Sequence, residues 1–178
     1  MPETLALLIS QRRIGARIAA LGRSIDADYR ERPLSLVVVL KGAVVFAADL
    51  MRQITIPFAL DFIAASSYGL AARSSGEVAL GGLDRLDIGG RDVLVIEDIL
   101  DTGLTSRAIL DTMRRQEPAS LALCALLRKP AAAALDLPVP YVGFDIPDEF
   151  VVGYGMDHAE RHRNLPAIYR LVPDDGGA

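Results

Sequence analysis

Three acidic residues follow an apolar run, and a threonine-glycine turn comes directly after them. Glu97, Asp98 and Asp101 lie within five positions, and the apolar run covers residues 93–96. Carboxylates can accept hydrogen bonds from sugar hydroxyls, share a divalent cation with ligand oxygens, or carry a proton. The segment therefore predicts a site that combines polar recognition with acid–base chemistry.

The turn that follows has the composition of a phosphate-binding loop. Gly103 permits a positive φ, so successive backbone N–H groups can converge, and the hydroxyls of Thr102 and Thr105 add donors at the start of a predicted helix. The turn is not a Walker A loop, because the spaced glycine and the Gly-Lys-Ser/Thr ending are absent. The residues predicted to hold a phosphate group are Thr102, Gly103, Leu104 and Thr105.

Acidic residues beside a phosphate repel it unless another group compensates for their charge. At 4 Å the repulsion is about 4 kcal/mol per pair for an effective dielectric constant of 20. Sugar hydroxyls that donate to Glu97 and Asp98, or Mg²⁺ held between carboxylates and ligand oxygens, would compensate for it. A phosphorylated sugar with a free diol meets both conditions and leaves Asp101 for proton transfer. The alternative for this segment is a solvated acidic turn with a capping threonine.

Strands and helices alternate along the chain around these residues. The apolar run over residues 34–40 predicts a buried parallel strand, and further strands are predicted over 58–65, 93–96 and 121–127. Helices are predicted from the N-cap Ser10 to near Tyr29, over 43–52 and over 105–115. The alternation predicts a doubly wound α/β fold, a mainly parallel sheet flanked by helices, with ligands at the carboxyl ends of the strands.

Two stretches do not fit a minimal α/β unit. Residues 66–76 are small, polar and rich in glycine, which predicts a loop that could act as a lid. The tail from Pro140 is dense in turn-forming residues and predicts a small irregular subdomain over the strand ends. A length of 178 residues predicts one domain over 1–178, with a core at about 30–140 and a hood from the N-terminal and C-terminal segments.

Composition excludes several classes of protein. A hydrophobic content of 51% with 24% charged residues is that of a globular chain and argues against disorder. The net charge of −4 disfavours nucleic acid and anionic membranes as partners. The lone Cys124 cannot form an intrachain disulfide, and no targeting or membrane-spanning segment is visible, so the sequence predicts a cytoplasmic protein.

At residues 97–105 the chain resembles the phosphoribosyl diphosphate binding motif of the type I phosphoribosyltransferases. Four further segments are similar to the hypoxanthine-guanine branch of that family, and all five occur in the same order as in the family. These segments are Leu40-Lys41-Gly42, Ser66-Ser67-Tyr68-Gly69 with Ser75-Gly76-Glu77-Val78, Leu127-Arg128-Lys129-Pro130, and residues 143–157. The resemblance implies purine salvage: Mg²⁺-dependent transfer of the phosphoribosyl group to N9 of hypoxanthine or guanine, giving IMP or GMP and pyrophosphate.

The resemblance also implies roles for the residues that match the family's motifs. On the ribose and phosphate side, Glu97 and Asp98 would bind the ribose diol, Asp157 would join them in association with Mg²⁺, and Lys41, Gly42 and Arg163 would contact pyrophosphate. On the purine side, Lys129 would donate to the 6-oxo group, Phe150 would stack on the base, Val151 would read its edge through the backbone, and Asp101 would be the base.

The remaining implications concern the lid, the peptide geometry and the assembly. Ser67 and Tyr68 match a loop that closes over the site, and the Lys41 loop matches one with a non-proline cis peptide. The family implies a homo-oligomer, a dimer or a tetramer. The chain departs from the family pattern at Leu104, where some members have lysine, at His158, where many have tyrosine, and at Arg73 in the lid.

Alternative interpretations stay open at this point. A non-catalytic nucleotide-binding regulator with the same fold would share the phosphate turn, and so would a nucleotide hydrolase that needs no purine acceptor. Phe150 taken alone could be a core aromatic residue, and Cys124 has the surroundings of a buried core thiol. Residues 158–162 resemble a zinc signature, but Glu160 is displaced from the position that the signature requires.

Overall fold

The structure, a computed structural model, describes residues 4–66 and 79–172. In chain order its strands and helices are β1 Thr4–Ile9, α1 Gln11–Asp28, β2 Leu34–Leu40, α2 Val44–Met51, β3 Phe58–Ser66, β4 Ala79–Gly81, β5 Asp92–Leu100, α3 Leu104–Arg114, β6 Ser120–Arg128, α4 Pro130–Ala133, β7 Tyr141–Asp145, β8 Val151–Val152 and β9 Ile168–Val172. A short 3₁₀ helix, Leu83–Arg85, follows β4.

The larger sheet has the strand order β4-β3-β2-β5-β6-β7. The five strands from β3 to β7 in this order are parallel, and β4 pairs antiparallel with β3 at one edge. Strand β2 is buried on both faces because its side chains alternate between two cores. Leu36 and Val38 pack in the core beneath α1 and α2, and Val37 and Val39 pack in the core beneath α3. The prediction of a doubly wound α/β sheet is confirmed.

The order of the strands places a crevice between β2 and β5. The chain passes from β2 to β3 on one side and then crosses to β5 on the other side of β2. Connections from the two strands diverge at this point, and ligands of open α/β sheets bind outside the carboxyl ends of strands there. The register pairs Val38 with Ile96, so the residues that follow, Leu40 to Gly42 and Asp98, come to the same edge.

A second, three-stranded sheet has the order β1-β9-β8 and joins segments distant in sequence. Thr4 pairs with Val172 and Val151 pairs with Arg170, all antiparallel. Strand β1 was not predicted, since the apolar run over residues 5–9 had no recognisable partner. Residues of β8 and of the loop after it line the same cleft as residues at the carboxyl ends of the main-sheet strands.

Two sequence predictions need correction in the tail and in β5. The tail from Pro140 is not irregular at its start, because Tyr141–Asp145 forms β7 of the main sheet. Gly143 suggested a turn, but a Cβ there would overlap the Leu126 carbonyl oxygen, so this glycine permits close strand approach. Strand β5 does not end at residue 96; Glu97 pairs with Ala125, and the strand runs to Leu100.

Other predictions agree with the structure or fall outside it. Helix α1 begins after Ser10, whose Oγ accepts a hydrogen bond from the Arg13 N–H, as predicted. Cys124 is fully buried. Ser67, Tyr68 and Arg73, and with them most of the predicted lid, lie outside the described residues. In the described ranges no helix is both long and apolar enough to span a membrane.

Candidate active site

A cleft of about 590 Å³ opens at the carboxyl ends of β2, β5 and β6. The main sheet and the segments that follow its strands contribute Lys41, Gly42, Asp98, Asp101 and Lys129 to its walls. The smaller sheet and its loops contribute Phe150, Val151, Asp157, Glu160 and Arg163. The two sheets therefore enclose one site, at the place where the strand order predicts a ligand.

Two adjacent acidic residues on β5 differ in their surroundings. Asp98 borders the cleft, whereas Glu97 is 5% exposed and its Oε1 accepts a hydrogen bond of 3.0 Å from the Ser106 hydroxyl. Burial, together with the charge of Asp98, raises the pKa of Glu97 to about 8. Burial also raises the pKa of Asp98 to about 6. A ligand hydroxyl or a cation beside these carboxylates would offset the loss of hydration that raises their pKa values.

The turn after β5 leads into helix α3 with the geometry of an anion site. Gly103 has φ 77°, a left-handed conformation, and a Cβ there would come within 2.9 Å of Leu135. Helix α3 has 11 residues, so its first-turn N–H groups lie at the positive end of a full helix dipole. The Thr102 hydroxyl accepts a hydrogen bond from the Leu104 N–H at 3.4 Å. The Leu104 side chain is 62% exposed and adds no cation.

Lys129 is a buried cation between two carboxylates. Strand register sets it beside Asp101. Leu100, which precedes Asp101, pairs with Arg128, which precedes Lys129. The Lys129 Nζ lies 3.2 Å from Asp101 Oδ1 and 3.1 Å from Asp148 Oδ1. Burial alone would lower the pKa of Lys129, but the hydrogen bonds to Asp148 and Asp101 outweigh it and raise the pKa. Lys129 is therefore charged at neutral pH.

Phe150 presents an aromatic ring to the cleft instead of packing in a core. The residue is 53% exposed, and its ring lies edge-on to the His158 ring with centroids 5.2 Å apart. An exposed ring can stack on a planar ligand, and the neighbouring Val151 is held in β8 and also lines the cleft. Tyr154, in contrast, is 5% exposed and belongs to the core. The interpretation of Phe150 as a core residue is wrong.

The loop after β2 approaches the acidic strand very closely. The Leu40–Lys41 peptide bond is cis, as the family resemblance implied. A Cβ at Gly42 would overlap the Asp98 carboxylate, and a Cβ at Gly155 would overlap the Gly42 carbonyl oxygen. Gly155 also has φ 100°, which favours glycine. The loop is thus packed between β5 and the hood without room for a side chain at either glycine.

The cleft also holds an ion-pair network. Arg163 Nη2 lies 2.7 Å from Asp157 Oδ1 and 3.3 Å from Glu160 Oε2, and its Nη1 donates to the Gly155 carbonyl at 2.9 Å. Lys41 Nζ lies 3.4 Å from Glu160 Oε1. Both cations face the same carboxylate, so an anionic ligand at this end would compete with Glu160 for them.

The oxygen donors of the cleft suit a magnesium ion that arrives with a phosphorylated ligand. Within the described residues, His, Cys, Asp and Glu form no cluster of three or more that could hold a metal. Mg²⁺ in proteins is bound by one or two carboxylates, several waters and substrate phosphates, so a closed cage is not needed. Asp98 and Asp157 border the same cleft, and the charge of Asp157 contributes to the raised pKa of Asp98. These two carboxylates fit the ion.

The structure brings most of the predicted site residues together. Those that line the cleft are Lys41, Gly42, Asp98, Asp101, Lys129, Phe150, Val151, Asp157 and Arg163. Glu97 lies behind this wall, and the turn residues Thr102 to Thr105 continue from Asp101 without lining the cleft. The positions of Ser67 and Tyr68 are not described.

Three residues near the site were missed by sequence reasoning. Asp148 contacts Lys129, Ser106 contacts Glu97, and Glu160 contacts both Lys41 and Arg163. Asp148 and Glu160 sit in turn-rich sequence, where a charged residue is ordinarily solvated. For Ser106 a signal existed: it lies nine positions after Glu97, within the first turn of a helix that starts directly beyond the acidic strand.

Comparison with known proteins identifies close relatives. Residues 8–159 match the family model described as phosphoribosyl transferase domain. The chain is 49% identical to the hypoxanthine-guanine phosphoribosyltransferase of Mycobacterium avium, with 94% of this chain and 86% of that protein covered. It is 45% identical to the hypoxanthine phosphoribosyltransferase of Salmonella typhimurium, with 97% and 98% covered. A crystal structure of a hypoxanthine-guanine phosphoribosyltransferase from Bacillus anthracis superposes with a TM-score of 0.86 at 43% identity, covering 94% and 98% of the chains.

Proposed function

Because the chain belongs to the hypoxanthine-guanine phosphoribosyltransferase family, we propose that it transfers the phosphoribosyl group of phosphoribosyl diphosphate to N9 of hypoxanthine, guanine or both. The products are IMP or GMP and pyrophosphate, and the reaction serves purine salvage. One observation supports this proposal more strongly than any other. A buried, charged Lys129 paired with Asp101 lines the same cleft as the exposed Phe150 ring, and a planar 6-oxopurine needs both a cationic donor and an aromatic ring.

Recognition of the purine follows from the donors at this end of the cleft. The Lys129 ammonium has only N–H donors, so it pairs with a 6-oxo acceptor and opposes the 6-amino group of adenine. Phe150 stacks on the ring system, and the Val151 backbone reads the edge of the base. A site that hydrogen-bonds one purine and leaves donor facing donor for another discriminates strongly between them.

The phosphorylated sugar occupies the remainder of the cleft and extends past Asp101 to the turn that follows β5. The turn Thr102-Gly103-Leu104-Thr105 holds the 5-phosphate through its backbone N–H groups and hydroxyls, and Asp98 with Glu97 holds the ribose diol. Lys41, Gly42 and Arg163 hold the diphosphate, which displaces Glu160 from the two cations. Asp98 and Asp157 would hold Mg²⁺, which would supply positive charge to neutralise the leaving group.

Chemistry takes place at the ribose C1′ atom, between these two ends. The bond from C1′ to N9 forms, the bond from C1′ to the diphosphate oxygen breaks, and positive charge develops on the ribose ring. Asp101 accepts or holds the proton of the purine imidazole ring. Water must be excluded while the sugar is activated, and Ser67 and Tyr68 belong to the segment proposed to close over it.

A substrate panel tests the proposal. Protein, Mg²⁺ and phosphoribosyl diphosphate are mixed with hypoxanthine, guanine, xanthine or adenine, and pyrophosphate release and product mass are measured. We expect IMP or GMP with hypoxanthine or guanine, little product with adenine, and loss of turnover when Mg²⁺ is chelated. Pyrophosphate released equally without any purine would identify a hydrolase instead. The interpretation as a non-catalytic regulator has no support among the relatives, which are named as transferases.

Gly42→Ala is expected to raise the KM for phosphoribosyl diphosphate by about 10-fold with a smaller change in the KM for hypoxanthine. The added Cβ overlaps the Asp98 carboxylate, so either Asp98 rotates away from the ribose or the loop moves. Steady-state kinetics with each substrate varied in turn measures the effect.

Gly15→Ala is the matched control for this change. Nothing lies within 4 Å of a Cβ at Gly15, which is an exposed position inside α1. The control keeps both KM values and raises stability by roughly 0.5–1 kcal/mol, since alanine is the better helix former. An unchanged KM for phosphoribosyl diphosphate in Gly42→Ala would show that close approach of the loop to Asp98 is not needed for binding.

Homo-oligomerisation and a cytoplasmic location complete the proposal. Leu60 and Phe62 project from the same side of β3 and are 37% and 46% exposed, on the part of the sheet beside α2. Covering such side chains by a second copy of the chain would remove apolar surface from water. Sedimentation velocity should give a dimer or tetramer of the 19.1 kDa chain, and Phe62→Asp should shift it toward the monomer. A monomeric parent protein would refute this part.

The lone, buried Cys124 suits the cytoplasm.

A further inference from the structure

Asp148 contacts Lys129, the cation proposed to bind the purine, but it does not line the cleft itself. Its Oδ1 lies 3.1 Å from the Lys129 Nζ, and Asp101 Oδ1 lies 3.2 Å from the same nitrogen. The Lys129 side chain is 9% exposed, whereas those of Asp148 and Asp101 are 81% and 61% exposed. One buried ammonium is therefore held between two carboxylates that reach it from the solvent side.

The backbone fixes the three residues relative to one another. The Lys129 N–H donates to the Leu100 carbonyl at 2.9 Å, which fastens Lys129 to the end of β5 next to Asp101. The Ile146 N–H donates to the Arg128 carbonyl at 3.0 Å, which fastens the segment carrying Asp148 to the end of β6. That segment continues directly to Phe150. Asp148 thus links the cation to the chain segment that presents the aromatic ring.

The two carboxylates restrict the orientation of the Lys129 ammonium group. Lysine has three N–H donors in a tetrahedral arrangement, and two of them are directed to Asp101 and Asp148. When two donors are fixed, the direction of the third is fixed too. With Asp101 as the one remaining carboxylate partner, the flexible side chain could turn about that contact and point its donors elsewhere.

We propose that Asp148 is a positioning residue for purine recognition, which holds the Lys129 ammonium so that its remaining N–H faces the 6-oxo group of the base. This inference rests on the proposed function and adds to it a residue that never touches the substrate. It predicts a defect confined to binding of the purine, because other residues are proposed to hold the phosphate and the ribose.

Asp148→Ala tests the proposal, because alanine leaves no acceptor for the Lys129 ammonium, and Asp145→Ala is the matched control. Asp145 is 67% exposed and pairs with Arg128 at 2.7 Å, one residue before Lys129 and at the end of the same strand pair. We expect Asp148→Ala to raise the KM for hypoxanthine about 5-fold, with kcat and the KM for phosphoribosyl diphosphate within 2-fold of the parent. An ion pair whose carboxylate is exposed accounts for an effect of that size. Asp145→Ala should change none of the three.

Two further measurements separate positioning from a general structural role. Asp148→Glu, which keeps the carboxylate, should restore the KM for hypoxanthine to within 2-fold. The inhibition constant of unsubstituted purine, which has no 6-oxo group, should be the same for the parent and for Asp148→Ala. A misfolded site would weaken both ligands.

The inference fails if Asp148→Ala leaves the KM for hypoxanthine unchanged, or if it weakens hypoxanthine and unsubstituted purine equally. Failure of the proposed function looks different, because the parent protein would then turn over none of the four purines. An equal rise in KM for Asp148→Ala and Asp145→Ala would show an effect of surface charge and would also overturn the role of Asp148.

Discussion

Asp101→Asn lowers kcat for IMP formation by at least about 100-fold, while the KM values for hypoxanthine and phosphoribosyl diphosphate change by less than 3-fold. Asparagine has nearly the same shape as aspartate, and its amide oxygen can still accept a hydrogen bond from Lys129. It cannot take up a proton, and a positioned general base contributes typically ~10²- to 10⁴-fold. The loss should therefore fall on the chemical step and not on binding.

Single-turnover kinetics should accompany the steady-state measurement. Product release limits kcat in many enzymes, and a slower chemical step could then be partly hidden in kcat. Asp111→Asn is the control, since Asp111 is an exposed helix residue that pairs with Arg114 and lies outside the cleft. It should leave both rates unchanged. A single-turnover rate for Asp101→Asn equal to that of the parent would remove Asp101 from the reaction.

Lys129→Met reduces kcat/KM for hypoxanthine and guanine by about 100-fold, mainly through KM. Methionine keeps most of the length of the side chain but has no N–H donor, so the 6-oxo group of the base enters the cleft unpaired. The substitution also leaves Asp101 and Asp148 without their shared cation. The 6-amino group of adenine can donate to these carboxylates. The ratio of kcat/KM for hypoxanthine to that for adenine should therefore fall by a larger factor than kcat/KM for hypoxanthine does.

Arg128→Met provides the comparison for this substitution. Arg128 precedes Lys129 and pairs with Asp145 outside the cleft, so the change removes a neighbouring cation of similar size. We expect unaltered kinetics with every purine. If Lys129→Met and the parent show the same KM for hypoxanthine and the same preference over adenine, Lys129 does not read the base.

Local sequence signals predicted much of the main sheet. The apolar run of β2 and the Ser10 cap of α1 are readable because they depend on neighbouring residues. Strand β1 was missed because its partner, β9, lies at the other end of the described chain. The end of β5 was misplaced because Glu97 and Asp98 are polar in sequence, although their backbone continues the pairing with β6.

The residues of the candidate site were predicted only in part. Lys129, Phe150 and Asp157 were found through resemblance to a family, since nothing in their own surroundings distinguishes them from surface or core residues. Asp148 and Glu160 were missed because their partners, Lys129 and Lys41, are brought near by folding and not by spacing. Contacts of this kind depend on where loops cross above the sheet, which periodicity does not encode.

The three-stranded sheet makes the purine end of the cleft dependent on residues far from it. Val151 is held by β9, and β9 is in turn held along its other edge by β1. Fraying of Thr4–Ile9 would leave β9 with only the two-residue β8 as a neighbour, so the wall that faces the base would lose its outer support. Under the role proposed for Val151, sequence variation in the first strand would change the KM for the purine without altering any residue that contacts it.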